Sequence, residues 1–192
     1  IALALTRAGG QATLRELASR ADIIIESYAP GYLDSIGLGY AALSAANPGL
    51  VMASITPFGQ DGPYRDYKGS DLVAWAMGGL ASQSGDPDHP PARISHLDFS
   101  YLMGSLDAAW GTLAAINWRA SSGLGQQVDV SLQESMIKST FLTHEYWQIT
   151  GMERTRGSSY YRVPWTDLYL RTVWPTQDGV VYFMIHGGEF GS

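Results

Sequence analysis

Two short apolar runs, "DIIIE" at 22–26 and "LVMASIT" at 50–56, constrain the fold most. Each is β-branched or apolar throughout, the pattern of a strand buried on both faces of a parallel sheet. Between them, 39–46 reads as a helix closed by Asn47-Pro48. Strand, crossover helix and strand form a βαβ unit with a right-handed connection. The predicted class is therefore α/β, with a parallel sheet.

The same period analysis places a helix over 11–21, with Ala12, Leu14, Leu17, Ala18 and Ala21 on one face. A Pro- and Gly-rich loop, "PFGQDGPYRDYKG", spans 57–69, a length at which loops in compact domains are often functional. Ser70 is placed to cap a helix over 71–83, with Asp71 in its first turn, where the helix dipole favours an acid. That helix carries the small-residue run "AMGGLAS", which would let another backbone come close. A further helix runs to about 119, with Leu102, Leu106, Ala109, Leu113 and Ile116 as its core face. "SSGLGQ" stops it, "QVDVSL" reads as a strand, and 132–149 as the next helix. "LYLRTVWPT" and "VVYFMIH", joined through Gln177-Asp178-Gly179, read as a β-hairpin. The division expected is a larger domain over 1–151, and 152–192 as a linker and the start of a smaller β-containing domain. The start on Ile1 and the stop at "HGGEFGS" suggest a piece of a longer protein.

Charge and composition exclude several classes. The net charge of −6 argues against a nucleic-acid surface, which needs clustered Lys and Arg. There is no cysteine, so no disulfide framework, thiolate nucleophile or thiolate metal site. No apolar run approaches the roughly 18 residues of a membrane span, and no stretch reads as a signal peptide. A cytoplasmic protein with no membrane partner is expected. The histidines at 89, 96, 144 and 186 have no ligand spacing, so no metal site is expected. Gly187-Gly188 is too short for a phosphate loop.

"ISHLDFSYLMGSLDAAWG" at 94–111 holds the chemistry-bearing groups Asp98, Tyr101 and Asp107. Asp98, directly before an apolar helix, is either its N-cap or a reactive carboxylate. Asp107, in mid-helix, reads as solvated or salt-bridged.

Several segments taken in order resemble one family, the class III CoA-transferases, with the carnitine CoA-transferase-like proteins and α-methylacyl-CoA racemases. They are "ADIIIESYAPGYLDSIGLGY", "NPGLVMASITPFGQDGPYRD", "GSDLVAWAMGGLASQSGDPDHPPAR" and "GTLAAINWRASSGLGQQVDVSLQESM". The resemblance is collinear over nearly the whole chain, as an interior section. It implies a large Rossmann-like domain, a small domain and a pair of interlocked subunits, either a homodimer or a heteromer with a homologue. It also implies a reaction that moves CoA from an acyl-CoA donor to a carboxylic acid. CoA is then a substrate, and no cofactor is needed. In the transferases an aspartate attacks the thioester to give a mixed anhydride and then an enzyme thioester, which splits one hard exchange into easier steps. Backbone N–H groups at a helix start can stabilise the developing oxyanion.

Carried over position by position, the family aspartate stands ten residues before a glycine or alanine on the helix's core face, and counting back from Gly111 puts Tyr101 there. Asp98 lies about one helical turn upstream and is the catalytic candidate. Ser27, Tyr28, Ser35, Ile36, Lys68, Ser70 and Asp71 match positions that contact CoA or border the site. Tyr28 would stack on the adenine, and Lys68 would reach the phosphates or pantetheine. A family arginine is replaced by Ser35, which implies weaker phosphate clamping. The racemase base is replaced by Ser70, which weakens a racemase or isomerase alternative. A non-catalytic CoA-binding partner subunit, or half of a tandem protein, is the other alternative that Tyr101 leaves open.

Overall fold

The computed structural model describes residues 2–93, 97–140, 143–157, 160–162 and 168–183. The chain enters through α1 (Ala8–Ala18), β1 (Ile23–Glu26), the single turn α2 (Tyr32–Ser35), α3 (Tyr40–Ala46) and β2 (Val51–Thr56). β1 and β2 are parallel, with Ile23 opposite Val51 and Glu26 opposite Ser54. β3 (Gln127–Ser131) is parallel to the other edge of β2, with Ala53 opposite Val128 and Thr56 opposite Ser131. The sheet order is β1-β2-β3, an α/β arrangement as the sequence predicts.

Between β2 and β3 run α4 (Asp71–Met77), a 3-10 turn at Leu80–Ser82 and the long α5 (Phe99–Ser122). After β3 come α6 (Leu132–Lys138) and α7 (Thr143–Thr150). Antiparallel pairs β4 (Tyr160–Arg162) with β5 (Tyr169–Arg171), and β6 (Val173–Pro175) with β7 (Val180–Tyr182), follow. The predicted hairpin is β6–β7, closed by the Thr176 N–H donating to the Gly179 carbonyl at 2.9 Å.

Strand side chains alternate between faces, and the two faces of this sheet differ. On one, Leu33, Leu38, Leu43, Leu50, Met52 and Ala18 form a buried cluster, with Leu14 and Ile24 packed against it. On the other, α5 lies over β2 and β3. Gly104 sits against the Leu132 side chain, and a Cβ on Gly111 would stand 2.7 Å from Val128 Cγ1. Because α5 covers β2 and β3, the β1 residues on that face stay open: Ile23 is 38% and Ile25 67% exposed. The expectation that "DIIIE" is buried on both faces is corrected accordingly.

α5 also reverses the expected face. Leu102, Leu106 and Leu113 are exposed and Ile116 is half-buried, whereas Ser100, Gly104, Ala108, Thr112 and Ala115 are buried. Helix and sheet approach so closely that only small side chains fit between them. The same close fit holds α4's end against α6, where a Cβ on Gly78 would collide with the Met136 Cβ. Two predicted helices are shorter than expected. The one over 71–83 stops at Met77, because Gly79 takes φ +95 and starts the 3-10 turn. The one over 132–149 is divided at Lys138, where Ser139 and Thr140 hydroxyls donate back to the carbonyls of Ser135 and Ile137 and compete with the helix.

Candidate functional site

Ligands in open α/β sheets bind beyond the carboxyl ends of the strands. Beyond β1 the chain turns through Ser27 and Tyr28, both exposed. The Tyr28 N–H donates to Glu26 Oε2 at 2.8 Å, which sets the turn. The Tyr28 ring lies 5.2 Å from Tyr32, tilted, and is 46% exposed. A shallow depression open to solvent is lined there by Glu26, Ala29, Asp34, Tyr40, Ser54 and Gln60 among others. Burial pushes the Tyr40 phenol above its ordinary range.

The loop after β2 is tied to β3 and α6. The Gln60 N–H donates to Asp129 Oδ2 at 2.8 Å, and the Gln133 N–H donates to the Pro57 carbonyl. Partial desolvation of its carboxylate, with Asp61 and Glu134 nearby, raises Asp129 above the usual range, against the Gln60 hydrogen bond that lowers it. Phe58, Tyr64 and Tyr67 pack as an aromatic cluster inside the loop. Arg65 extends from it until its Nη2 stands 3.4 Å from where a Cβ on Gly31 would lie. Lys68, three residues on, is exposed. The structure thus brings Tyr28, Lys68 and their turns to one end of the sheet and adds Arg65, which the sequence reading missed. The signal available was its place in the loop opposite Gly31, a tertiary relation. Ser35 donates its hydroxyl to the Tyr32 carbonyl at 2.7 Å, and Ile36 packs into the Leu33–Leu38 cluster.

The second assembly lies at the start of α5. Asp98 occupies the N-cap position, yet its side chain caps nothing. Its N-cap alternative is corrected: the side-chain cap comes from α4. Asp71, 7% exposed, accepts on Oδ1 from the Ser100 N–H at 2.7 Å and from the Ser100 hydroxyl at 2.8 Å. Ser100 is the second residue of α5, so a carboxylate 29 positions away satisfies one of the orphan N–H donors of the helix. Ser70, in turn, caps α4, its hydroxyl accepting from the Val73 N–H at 3.4 Å.

Arg93 joins the two acids. Its Nη2 stands 3.0 Å from Asp71 Oδ2 and 3.1 Å from Asp98 Oδ1, and donates to the Leu97 carbonyl at 3.3 Å. Asp98 remains 66% exposed at its side chain. Tyr101 is also exposed, in the first turn of α5. Asp107 lies outside this group. It accepts from the Ser135 hydroxyl at 2.7 Å and pairs with Lys138 Nζ at 3.0 Å, the salt-bridged alternative. Chemically, an exposed carboxylate held at a helix N-terminus can act as a nucleophile, with backbone dipoles favouring negative charge there.

Among the described residues no group of His, Cys, Asp and Glu is arranged to hold a metal ion, and no helix is long and apolar enough to cross a membrane. His96, His186, Gly187 and Gly188 lie outside the described residues.

Comparison with known proteins bears on this geometry. The model of CoA-transferase family III matches residues 1–190. Succinyl-CoA--D-citramalate CoA-transferase of Chloroflexus aurantiacus is 37% identical over 171 residues, covering 88% of this chain and 41% of that protein. The beta subunit of succinyl-CoA--L-malate CoA-transferase from the same organism is 34% identical, covering 83% of this chain and 40% of that protein. A solved CAIB/BAIF family protein from Brucella suis superposes with a TM-score of 0.80 at 28% identity, covering 94% of this chain and 46% of that one. The chain spans about two fifths of the length of these curated relatives.

Proposed function

The chain belongs to CoA-transferase family III, and from that premise we propose that it supplies the CoA-binding part of an enzyme moving coenzyme A from an acyl-CoA to a carboxylic acid. The Asp98 carboxylate attacks the thioester carbonyl, forming an acyl-aspartyl anhydride and releasing CoA thiolate. The thiolate attacks the aspartyl carbonyl, giving an enzyme-CoA thioester and the free donor acid. The acceptor carboxylate then attacks that thioester, and the returning thiolate takes the acceptor acyl group and frees Asp98. Each step exchanges one acyl bond for another of similar reactivity.

The observation that carries this reading is the exposure of Asp98: paired with Arg93 through one oxygen, it stands at the start of α5 and is spared the capping role. The test is to incubate the full-length protein with acyl-CoA, trap with hydroxylamine and locate the label by peptide mass. The label is expected on Asp98 and absent in Asp98→Ala. A label on another residue, or none while acyl-CoA still binds, would contradict the assignment.

The nucleotide end of CoA is assigned to the turn after β1. There Tyr28 offers a ring face, and Lys68 and Arg65 offer cations for phosphate, with Arg65 taking the role of the arginine that Ser35 lacks. A charge-assisted contact of this kind contributes about 1.5–3 kcal/mol. Arg65→Ala is therefore expected to raise KM for acyl-CoA about 10-fold or more while leaving kcat unchanged, as steady-state kinetics would read. Residues 152–192 fit the start of a smaller β-containing domain, which limited proteolysis near 152–159 would test.

One observation favours a second reading, a CoA-binding subunit paired with a catalytic homologue: a phenol, Tyr101, stands at the position where the family pattern has its aspartate. A relative named as a beta subunit is consistent with such pairing. Binding of acyl-CoA without any carboxylate labelling would favour it.

A further inference from the structure

We infer that Arg93 is the positioning residue for the reactive carboxylate: anchored on buried Asp71, it holds Asp98 by one oxygen and presents the other. This inference rests on the reading of Asp98 as nucleophile given above.

Two carboxylates brought this close repel unless a cation lies between them. Arg93 is that cation, with one nitrogen within 3.1 Å of both. The two contacts differ in kind. Asp71 is buried and is fixed by two short hydrogen bonds from Ser100, so it forms the rigid end. Asp98 is largely solvent-exposed, so it forms the movable end. A free Asp98 side chain would spread over staggered rotamers. Its best alternative partner would be the N–H groups of its own helix, the ordinary fate of an aspartate at an N-cap. Asp71 already occupies the Ser100 N–H, one of the two N–H groups that an N-cap side chain ordinarily reaches. Arg93 then selects among the remaining orientations by binding Oδ1. Among the described residues Oδ2 accepts no hydrogen bond, so this is the oxygen that Arg93 leaves available for attack.

The charge balance fits the covalent step. Before attack, the three groups sum to one negative charge. When Asp98 becomes an anhydride, its charge leaves with the CoA thiolate and the sum is zero. Arg93 keeps Asp71 as its partner throughout, so no buried charge is left unpaired at either stage. A positioning group of this type acts on the rate of the chemical step and not on the binding of acyl-CoA.

The test uses the full-length protein and the rate of enzyme-CoA thioester formation on Asp98. Arg93→Ala is expected to slow that rate about 10- to 100-fold, with KM for acyl-CoA within about 2-fold of the wild type. Guanidinium ion, added below concentrations that unfold the protein, should restore part of the rate in Arg93→Ala and have no such effect on the wild type. Arg93→Lys should fall between, because an ammonium keeps the charge but sits on a shorter stem and is more strongly hydrated. A wild-type rate in Arg93→Ala, an equal loss in Arg93→Lys, or a loss that guanidinium does not restore would overturn the inference while Asp98 labelling in the wild type stands. If the wild-type protein forms no thioester on Asp98, the functional reading fails and this inference fails with it.

Discussion

On the α1–α3 side of the sheet the buried residues are Leu33, Leu38, Leu43, Leu50 and Met52, whereas on the α5 side the helix buries Ser100, Gly104, Ala108, Thr112 and Ala115. The first side is sealed by large side chains that fill the space between layers. On the second the layers nearly touch and the side chains stay small. Bulk therefore marks the interior on one side and the exterior on the other. Leu102, Leu106, Trp110 and Leu113 point away from the sheet, with Trp110 70% exposed. The close approach also brings the start of α5 within reach of Asp71 on α4.

Substitutions should separate the two sides, and the largest effect is expected on the first. Leu43→Ala removes a buried side chain from the cluster around Leu38 and should cost about 2–5 kcal/mol in urea unfolding. On the second side the damaging change is growth. Gly104→Leu drives a side chain into Leu132 and should cost about 1–3 kcal/mol, while a value near zero would mean that the layers are looser than described. Asp71→Ala leaves the Ser100 N–H without its acceptor and the hydroxyl with only the longer bond to the residue 71 carbonyl, and should cost about 1–3 kcal/mol by the same measurement.

A pH effect tests the sheet face opposite α5, where Asp129 lies. Its pKa is raised in the folded chain, so the folded state holds the proton over a range where the unfolded state has lost it. Stability gained from this group appears as pH falls through its raised folded value and is complete below the ordinary carboxylate value of about 3.9. Asp129→Asn should reduce the gain in urea midpoint between about pH 7 and about pH 4. An unchanged gain would remove Asp129 as its source. The smallest effect is expected from Leu106→Ala on the outer face of α5, less than about 0.5 kcal/mol. A cost near that of Leu43→Ala would show that α5 buries its large residues and would dissolve the contrast between the sides.

This contrast also marks how far the sequence was legible. β1, α3 and β2 followed from local pattern, because a short apolar run, a helical period and an Asn-Pro stop each report on their own backbone. The Ser70 cap of α4 and the stop of α5 at Gly123 were local too. The face of α5 was not, since periodicity finds where large residues recur and not which stripe meets the sheet. "DIIIE" misled for a related reason: how far a helix extends over an edge strand is a tertiary matter. At the candidate site, family pattern and position pointed to Asp98, Tyr28, Lys68 and Asp71. The roles of Arg65, Arg93 and Ser100 depend on contacts between segments that lie far apart in the chain or that only the folded loop brings together. The capping preference of aspartate suggested Asp98 as the cap, but a carboxylate from α4 reached the helix instead.

That exchange of roles between two aspartates is the central claim, and amide hydrogen exchange at Ser100 tests it most directly. Asp71→Ala should sharply reduce protection of the Ser100 amide and of the first turn of α5, while Asp98→Ala should leave it close to the wild type. Loss of protection in Asp98→Ala, with protection retained in Asp71→Ala, would contradict the account.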